Sequence, residues 1–156
     1  MKYNYEIVAT GDKWMGYGVK TTSRAVDELI DKSEKSLLFT IYIITDKNIL
    51  KKIIAALERG VNVEVFLYRG EEFDQQGIAS EISKLEKKYE NFKVYIGSSD
   101  EFIHSKVLIS DKHSILIGSA NLTSKGLSSN YELGILIDDE DVSFKVESII
   151  KKLRKG

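Results

Sequence analysis

Leu37-Leu38-Phe39-Thr40-Ile41-Tyr42-Ile43-Ile44 is the stretch whose pattern sets the fold. It is too continuously apolar and too rich in β-branched residues for a surface helix, and it reads as a strand covered on both faces. Upstream, Thr22 or Ser23 stands where a helix cap belongs, ahead of a stripe formed by Ala25, Val26, Leu29 and Ile30. Downstream, Asp46 is placed to cap a helix bearing Leu50, Ile53, Ile54 and Leu57, which stops near Gly60. Val61 to Tyr68 then alternates as the next strand.

The same reading carries to the C-terminus. A polar loop over 69–77 precedes an amphipathic helix from Ile78 to Tyr89, with Ile82 and Leu85 facing inward. A short strand, Phe92–Ile96, and a loop over 97–101 follow. Ile103–Ser110 and Ser114–Gly118 read as strands about a tight turn at Asp111-Lys112-His113. A last strand, Tyr131–Ile137, leads to a helix over about 141–154. The order βαβαβ, then a hairpin, then βα predicts an α/β fold: a mixed, mostly parallel sheet sandwiched by helices on both faces. Residues 1–156 read as a single domain without linker, low-complexity segment or repeat.

Composition narrows the function. With 156 residues, 42% hydrophobic and 30% charged, the chain suits a soluble globular domain. It has no cysteine, so disulfides and thiolate metal sites are excluded, and its two histidines are too few for a histidine-rich cluster. No ligand spacing suggests a carboxylate metal site, and no cofactor is implied. The longest apolar run is too short to span a membrane, and the first residues lack a signal-peptide core, so no membrane anchor is expected and the cytoplasm is the expected location. A formal charge of −1 supplies no overall attraction to nucleic acid.

His104-Ser105-Lys106-Val107-Leu108-Ile109-Ser110-Asp111, followed by Gly118-Ser119-Ala120-Asn121, carries the chemistry. Alternation along a strand places His104 and Lys106 on one face, roughly 6.6–7 Å apart. A nucleophile or general acid beside a fixed cation, with an amide donor nearby, is what attack on a phosphodiester requires.

His104-x-Lys106-x4-Asp111, then Gly118-Ser119-x-Asn121 and Asn130-x-Glu132, resembles the HKD motif of the phospholipase D superfamily. The Leu37–Ile44 strand and the segment Leu57-Glu58-Arg59-Gly60-Val61 also sit where such domains have them, so the resemblance covers nearly the whole chain. It is nearest to small single-motif members, including Nuc-type endonucleases and the phospholipase D-like component of DISARM-type defence systems. Gly118–Leu127 and Asn130–Ile137 carry the latter likeness. Larger members hold two HKD motifs in one chain, whereas His113 here is followed by Ser114 and Ile115, so no second HxK exists.

The resemblance implies a metal-independent phosphodiesterase working through a phosphohistidine, with one histidine as nucleophile and another as proton donor. One chain supplies one such histidine, so a two-fold homodimer is expected, each copy giving His104, Lys106, Ser119 and Asn121 to a shared site. Glu132 is expected to accept a hydrogen bond from its histidine. Asp111 is expected to support the turn or neighbouring backbone, and Gly118 to permit close backbone approach. DNA or RNA is the expected substrate, making the protein an endonuclease, with defence or repair proteins as possible partners. Two alternatives stand beside it. A phospholipase D or phosphatidyltransferase would show exposed apolar residues beside His104, for which Phe102 and Trp14 are the candidates. A non-catalytic nucleic-acid-binding component would keep the motif only to bind phosphate. The plain structural readings are a packed histidine at 104, turn formers at Ser119 and Asn121, a solvated Glu132, a surface His113, solvated charge over Lys151–Lys155, and packing roles for Trp14, Tyr17 and Tyr42.

Overall fold

A computed structural model describes residues 4–68, 70 and 78–155. The polar loop expected over 69–77 therefore lies outside the described residues, apart from Gly70. Eight strands form one mixed sheet in the order β2-β1-β8-β7-β6-β3-β4-β5. They are β1 (Tyr5–Thr10), β2 (Lys20–Thr21), β3 (Ser36–Ile41), β4 (Asn62–Leu67), β5 (Phe92–Ile96), β6 (Val107–Ser110), β7 (Ser114–Gly118) and β8 (Glu132–Asp138). The helices are α1 (Thr22–Asp31), α2 (Lys47–Glu58), α3 (Ile78–Lys88), α4 (Ser124–Ser128) and α5 (Glu140–Ile150), with 3-10 turns at Asp12–Trp14 and Lys151–Lys155.

Each layer follows from its apolar pattern. The α1 stripe of Ala25, Val26, Leu29 and Ile30, the α2 residues Ile49, Leu50, Ile53 and Leu57, and Ile78, Ile82 and Leu85 of α3 cover one sheet face. On the opposite face Ile150 of α5 packs with Leu38, Phe66, Ile109 and Ile115, and Val142, Val146 and Leu153 adjoin them. β3 is buried from Leu37 to Ile41, as a strand with both faces covered must be.

Local chemistry sets the ends. Asp46 caps α2 by accepting from the amides of Asn48 and Ile49 at 2.9 and 3.1 Å. The α1 cap is Thr21, whose hydroxyl oxygen accepts from Arg24 at 3.1 Å; Thr22 and Ser23, the expected candidates, lie within the first turn. β3 ends at Ile41 rather than Ile44, because the chain beyond it pairs elsewhere: Ile44 bridges Leu122, and Thr45 and Asp46 donate to the Leu122 carbonyl.

The sheet also has two strands, β1 and β2, that sequence patterning did not reveal. β1 runs antiparallel to β8 over six residue pairs, from Tyr5↔Ile137 to Thr10↔Glu132, and β2 adds a parallel edge. Parallel pairing joins β1–β2, β3–β4 and β4–β5; antiparallel pairing joins β1–β8, β3–β6, β6–β7 and β7–β8. Three of these seven pairings are parallel, a smaller share than expected, because β6, β7 and β8 all join the sheet antiparallel. Among the described residues no helix is long and apolar enough to cross a membrane.

Candidate active site

The site gathers where β6, β7 and β8 meet the loops at one end of the sheet. The HxK segment is extended but leaves the sheet: β6 begins at Val107, not Ile103. Thr40 explains the departure, because its hydroxyl donates to the Ser105 carbonyl at 2.9 Å and accepts from the Val107 amide at 3.0 Å. On the β3 side a side chain thus takes over from the backbone ladder, while on the β7 side the Lys106 carbonyl still accepts the Gly118 amide at 3.2 Å; His104 is exposed and Ile103 buried.

Lys106 folds back onto this segment. Its Nζ donates to the His104 carbonyl at 2.8 Å and lies 3.2 and 3.3 Å from the ring's Nδ1 and Nε2. It also stands 5.4 Å from the Tyr42 ring centroid. Burial pushes the Lys106 ammonium below its usual pKa, and the negative charge of Glu132 partly offsets that shift. A partly desolvated cation interacts more strongly with an arriving anion than a fully solvated one does.

Gly118, Ala120 and Asn121 line one cavity together with Lys106, so the two halves of the motif converge. The cavity holds about 40 Å³ and is mostly apolar, a floor beneath the site rather than a substrate pocket. Asn121 Oδ1 is buried there without a protein partner among the described residues. The loop carrying Asn121 is pinned through Leu122, whose amide donates to Ile43 at 3.2 Å and whose carbonyl accepts from Thr45 at 3.0 Å. Gly118 faces Gly134 across β7–β8, and a Cβ at Gly118 would stand 2.9 Å from the Leu133 carbonyl oxygen.

Ser119 and Glu132 form a separate unit. The serine hydroxyl donates to the Glu132 carboxylate, its oxygen accepts from the Leu133 amide at 3.1 Å, and Asn130 Nδ2 donates to Glu132 at 3.4 Å. Among the described residues Glu132 makes no hydrogen bond to the His104 ring, the partner expected for it. Asp111 lies at the far end of β6 in a left-handed conformation, φ +53°, followed by Lys112 at +56°. Its carboxylate accepts backbone amides of Glu34, Lys35 and Ser36 at 3.0, 2.7 and 3.0 Å, tying the hairpin turn to the start of β3. Burial acts to raise the Asp111 pKa, but these three donors outweigh it and hold the carboxyl below its usual value.

Of the two apolar candidates, Phe102 stacks beside His104 with centroids 5.7 Å apart, whereas Trp14 packs edge-on against Tyr131. Tyr42 is part of the site surroundings, 4.7 Å from His104, and Tyr68 joins it. Tyr17 is fully exposed. His113 is exposed and 3.8 Å from Glu140, while Lys151 and Arg154 pair with Glu64 of β4. Two contributors escaped the sequence reading. Tyr68 comes from just beyond β4, and its closeness to the site follows only from strand order. Gly126 underlies the Asn121 loop, where a Cβ would collide with the Asn121 carbonyl oxygen; its signal was a glycine inside a short capped helix, where the residue is otherwise unfavourable. No three His, Asp or Glu side chains converge as a metal would require among the described residues.

The sequence and the fold both have relatives among known proteins. The family model for the cardiolipin synthase, PLD-like domain matches residues 26–154. The DISARM protein DrmC of Bacillus paralicheniformis is 26% identical over 156 residues, covering 97% of this chain and 63% of its own. A phospholipase D of Rickettsia conorii is 32% identical over 115 residues, 73% of this chain and 54% of its own. The chain therefore spans about three-fifths of the length of these curated relatives. Among solved structures, the phospholipase D family member Nuc of Salmonella typhimurium superposes with a TM-score of 0.79 at 19% identity, covering 97% of this chain and 93% of the other. At that identity the likeness is one of fold.

Proposed function

The chain belongs to the phospholipase D superfamily, and on that premise we propose that it hydrolyses phosphodiesters of nucleic acid at a site completed by a second copy of itself. The observation that carries the reading is Lys106 Nζ held within 3.3 Å of both His104 ring nitrogens, an exposed imidazole with a cation fixed beside it. In the first step a His104 nitrogen attacks phosphorus, an N–P bond forms and the ester P–O bond breaks. The second copy's His104 gives its proton to the leaving oxygen. In the second step water transfers a proton to that second ring as its oxygen attacks phosphorus, and the N–P bond breaks. In this reading Lys106 offsets phosphoryl charge and the Asn121 amide donates to a phosphoryl oxygen, a role that otherwise falls to a metal.

The homodimer reading draws on two features. A single chain offers one imidazole where the reaction uses two. In addition, Ile7 and Leu133 stand 49% and 52% exposed on the sheet face opposite Glu132, an apolar surface on the neighbouring strands β1 and β8. The partner proposed for that surface is another copy of this chain. Glu132, through Ser119, holds the β7–β8 end of the site in place, and Asp111 and Gly118 support its framework.

The test is cleavage of labelled single-stranded DNA or RNA with chelator present, comparing the chain with His104→Asn. Activity that resists chelator and disappears in the variant supports the reading; equal activity in the two proteins contradicts it. One observation favours a second reading, hydrolysis of a phospholipid: the apolar Phe102 ring beside His104. Release of headgroup from vesicles without cleavage of either nucleic acid would favour it.

A further inference from the structure

Two aromatic side chains contact the histidine ring, a third packs against both of them, and none takes part in the chemistry above. Phe102 precedes His104 by two residues, with buried Ile103 between them, and the two rings lie side by side with centroids 5.7 Å apart. Their planes differ by 19°. Tyr42 lies 5.4 Å from Phe102, and Tyr68 completes the group at 4.4 Å from Phe102 and 5.4 Å from Tyr42. The tyrosines follow the ends of β3 and β4. The segment before Phe102 is fastened by Glu101, whose carboxylate accepts the Tyr95 hydroxyl at 2.6 Å and the Ser98 amide at 3.0 Å. Phe102 is nevertheless 57% exposed. A large ring kept open on an anchored backbone and backed by two others has the form of a docking surface, not of core packing.

Resting on the phosphodiesterase reading of His104, we infer that Phe102, backed by Tyr42 and Tyr68, is a stacking subsite for an unpaired nucleobase beside the scissile phosphate. The substrate class this selects is single-stranded nucleic acid. A nucleotide presents an anion and a flat π face one sugar apart, and here an imidazole–ammonium pair adjoins a flat exposed ring. A base inside a duplex has both faces occupied by its neighbours and cannot reach such a ring, whereas an unpaired base can. Stacking accepts any base, so the subsite selects strandedness and not sequence. An acyl chain asks for a long continuous apolar groove. The side chains flanking Phe102 are instead Glu101, His104 and two phenols, and the apolar cavity nearby holds only about 40 Å³.

The test uses binding, so that it does not depend on turnover. In the full chain carrying His104→Asn, which cannot cleave, a short fluorescein-labelled DNA strand is titrated beside the same strand with abasic tetrahydrofuran residues at its centre. The intact strand is expected to bind about tenfold tighter or more. Adding Phe102→Ala should erase that difference, Phe102→Trp should retain it, and Phe102→Leu, apolar but not flat, should not. Equal binding of intact and abasic strands with Phe102 present, a preference that survives Phe102→Ala, or binding of neither strand overturns the subsite. So does Phe102-dependent binding of phosphatidylglycerol vesicles in place of DNA, which would give the rings to a lipid. A base preference that depends on Phe102, in a protein whose His104 form cleaves nothing, leaves the subsite standing and refutes the hydrolytic reading alone.

Discussion

Ser119 and Glu132 are joined across the end of the β7–β8 pair: the serine hydroxyl donates to the carboxylate while its oxygen accepts the Leu133 amide at 3.1 Å. Glu132 also raises the Lys106 pKa against the lowering effect of burial. Glu132→Gln removes that support, so the Lys106 ammonium loses its proton at lower pH. The alkaline limb of the kcat profile should move downward, with kcat reduced roughly 10–100-fold. A pH–rate series on a labelled oligonucleotide measures both, and an unmoved limb contradicts the coupling.

Gly118 should tolerate no side chain. Its missing Cβ faces the Leu133 carbonyl at 2.9 Å and the Gly134 Cα at 3.1 Å, both backbone atoms that cannot rotate aside. Gly118→Ala is expected to cost roughly 1–3 kcal/mol in urea unfolding and to lower activity by shifting Ser119 away from Glu132. Wild-type stability in the variant would show that β7 and β8 separate without penalty.

Asp111 predicts a pH-dependent contribution to stability. Its carboxyl is held below the usual value, so the stabilisation is full above the unfolded value of about 3.9 and disappears as pH falls through the lower folded value. Asp111→Asn should therefore be less stable than the wild type at pH 6, and the gap should close toward about pH 3. Urea titrations at the two pH values check this; a gap that widens in acid contradicts it.

Much of this architecture was legible in the sequence because burial leaves a periodic signature. The α1 and α2 stripes, the apolar run of β3 and the turn at Asp111 follow directly from residue order. β1 was not read, although Tyr5, Ile7 and Ala9 alternate with Glu6, Val8 and Thr10; half of that alternation is polar or small, and the strand depends on β8, more than a hundred positions away. The HxK spacing was plain, but the exit from the sheet before Val107 turns on one hydroxyl, that of Thr40, which no pattern announces. The Tyr42–Tyr68–Phe102 grouping was hidden for the same reason: three distant segments meet only once strand order is known.

The central claim, that two copies of one histidine act on one phosphorus, is tested most directly with a heterodimer. A wild-type chain and a His104→Asn chain bearing different affinity tags are co-expressed, and the mixed dimer is isolated through both tags. Cleavage by that species at no more than a few per cent of the wild-type dimer's rate, on the order of what loss of a catalytic group allows, is the predicted result. A mixed dimer retaining about half the wild-type rate, as independent sites would give, or a chain that stays monomeric and still turns over substrate, would contradict it.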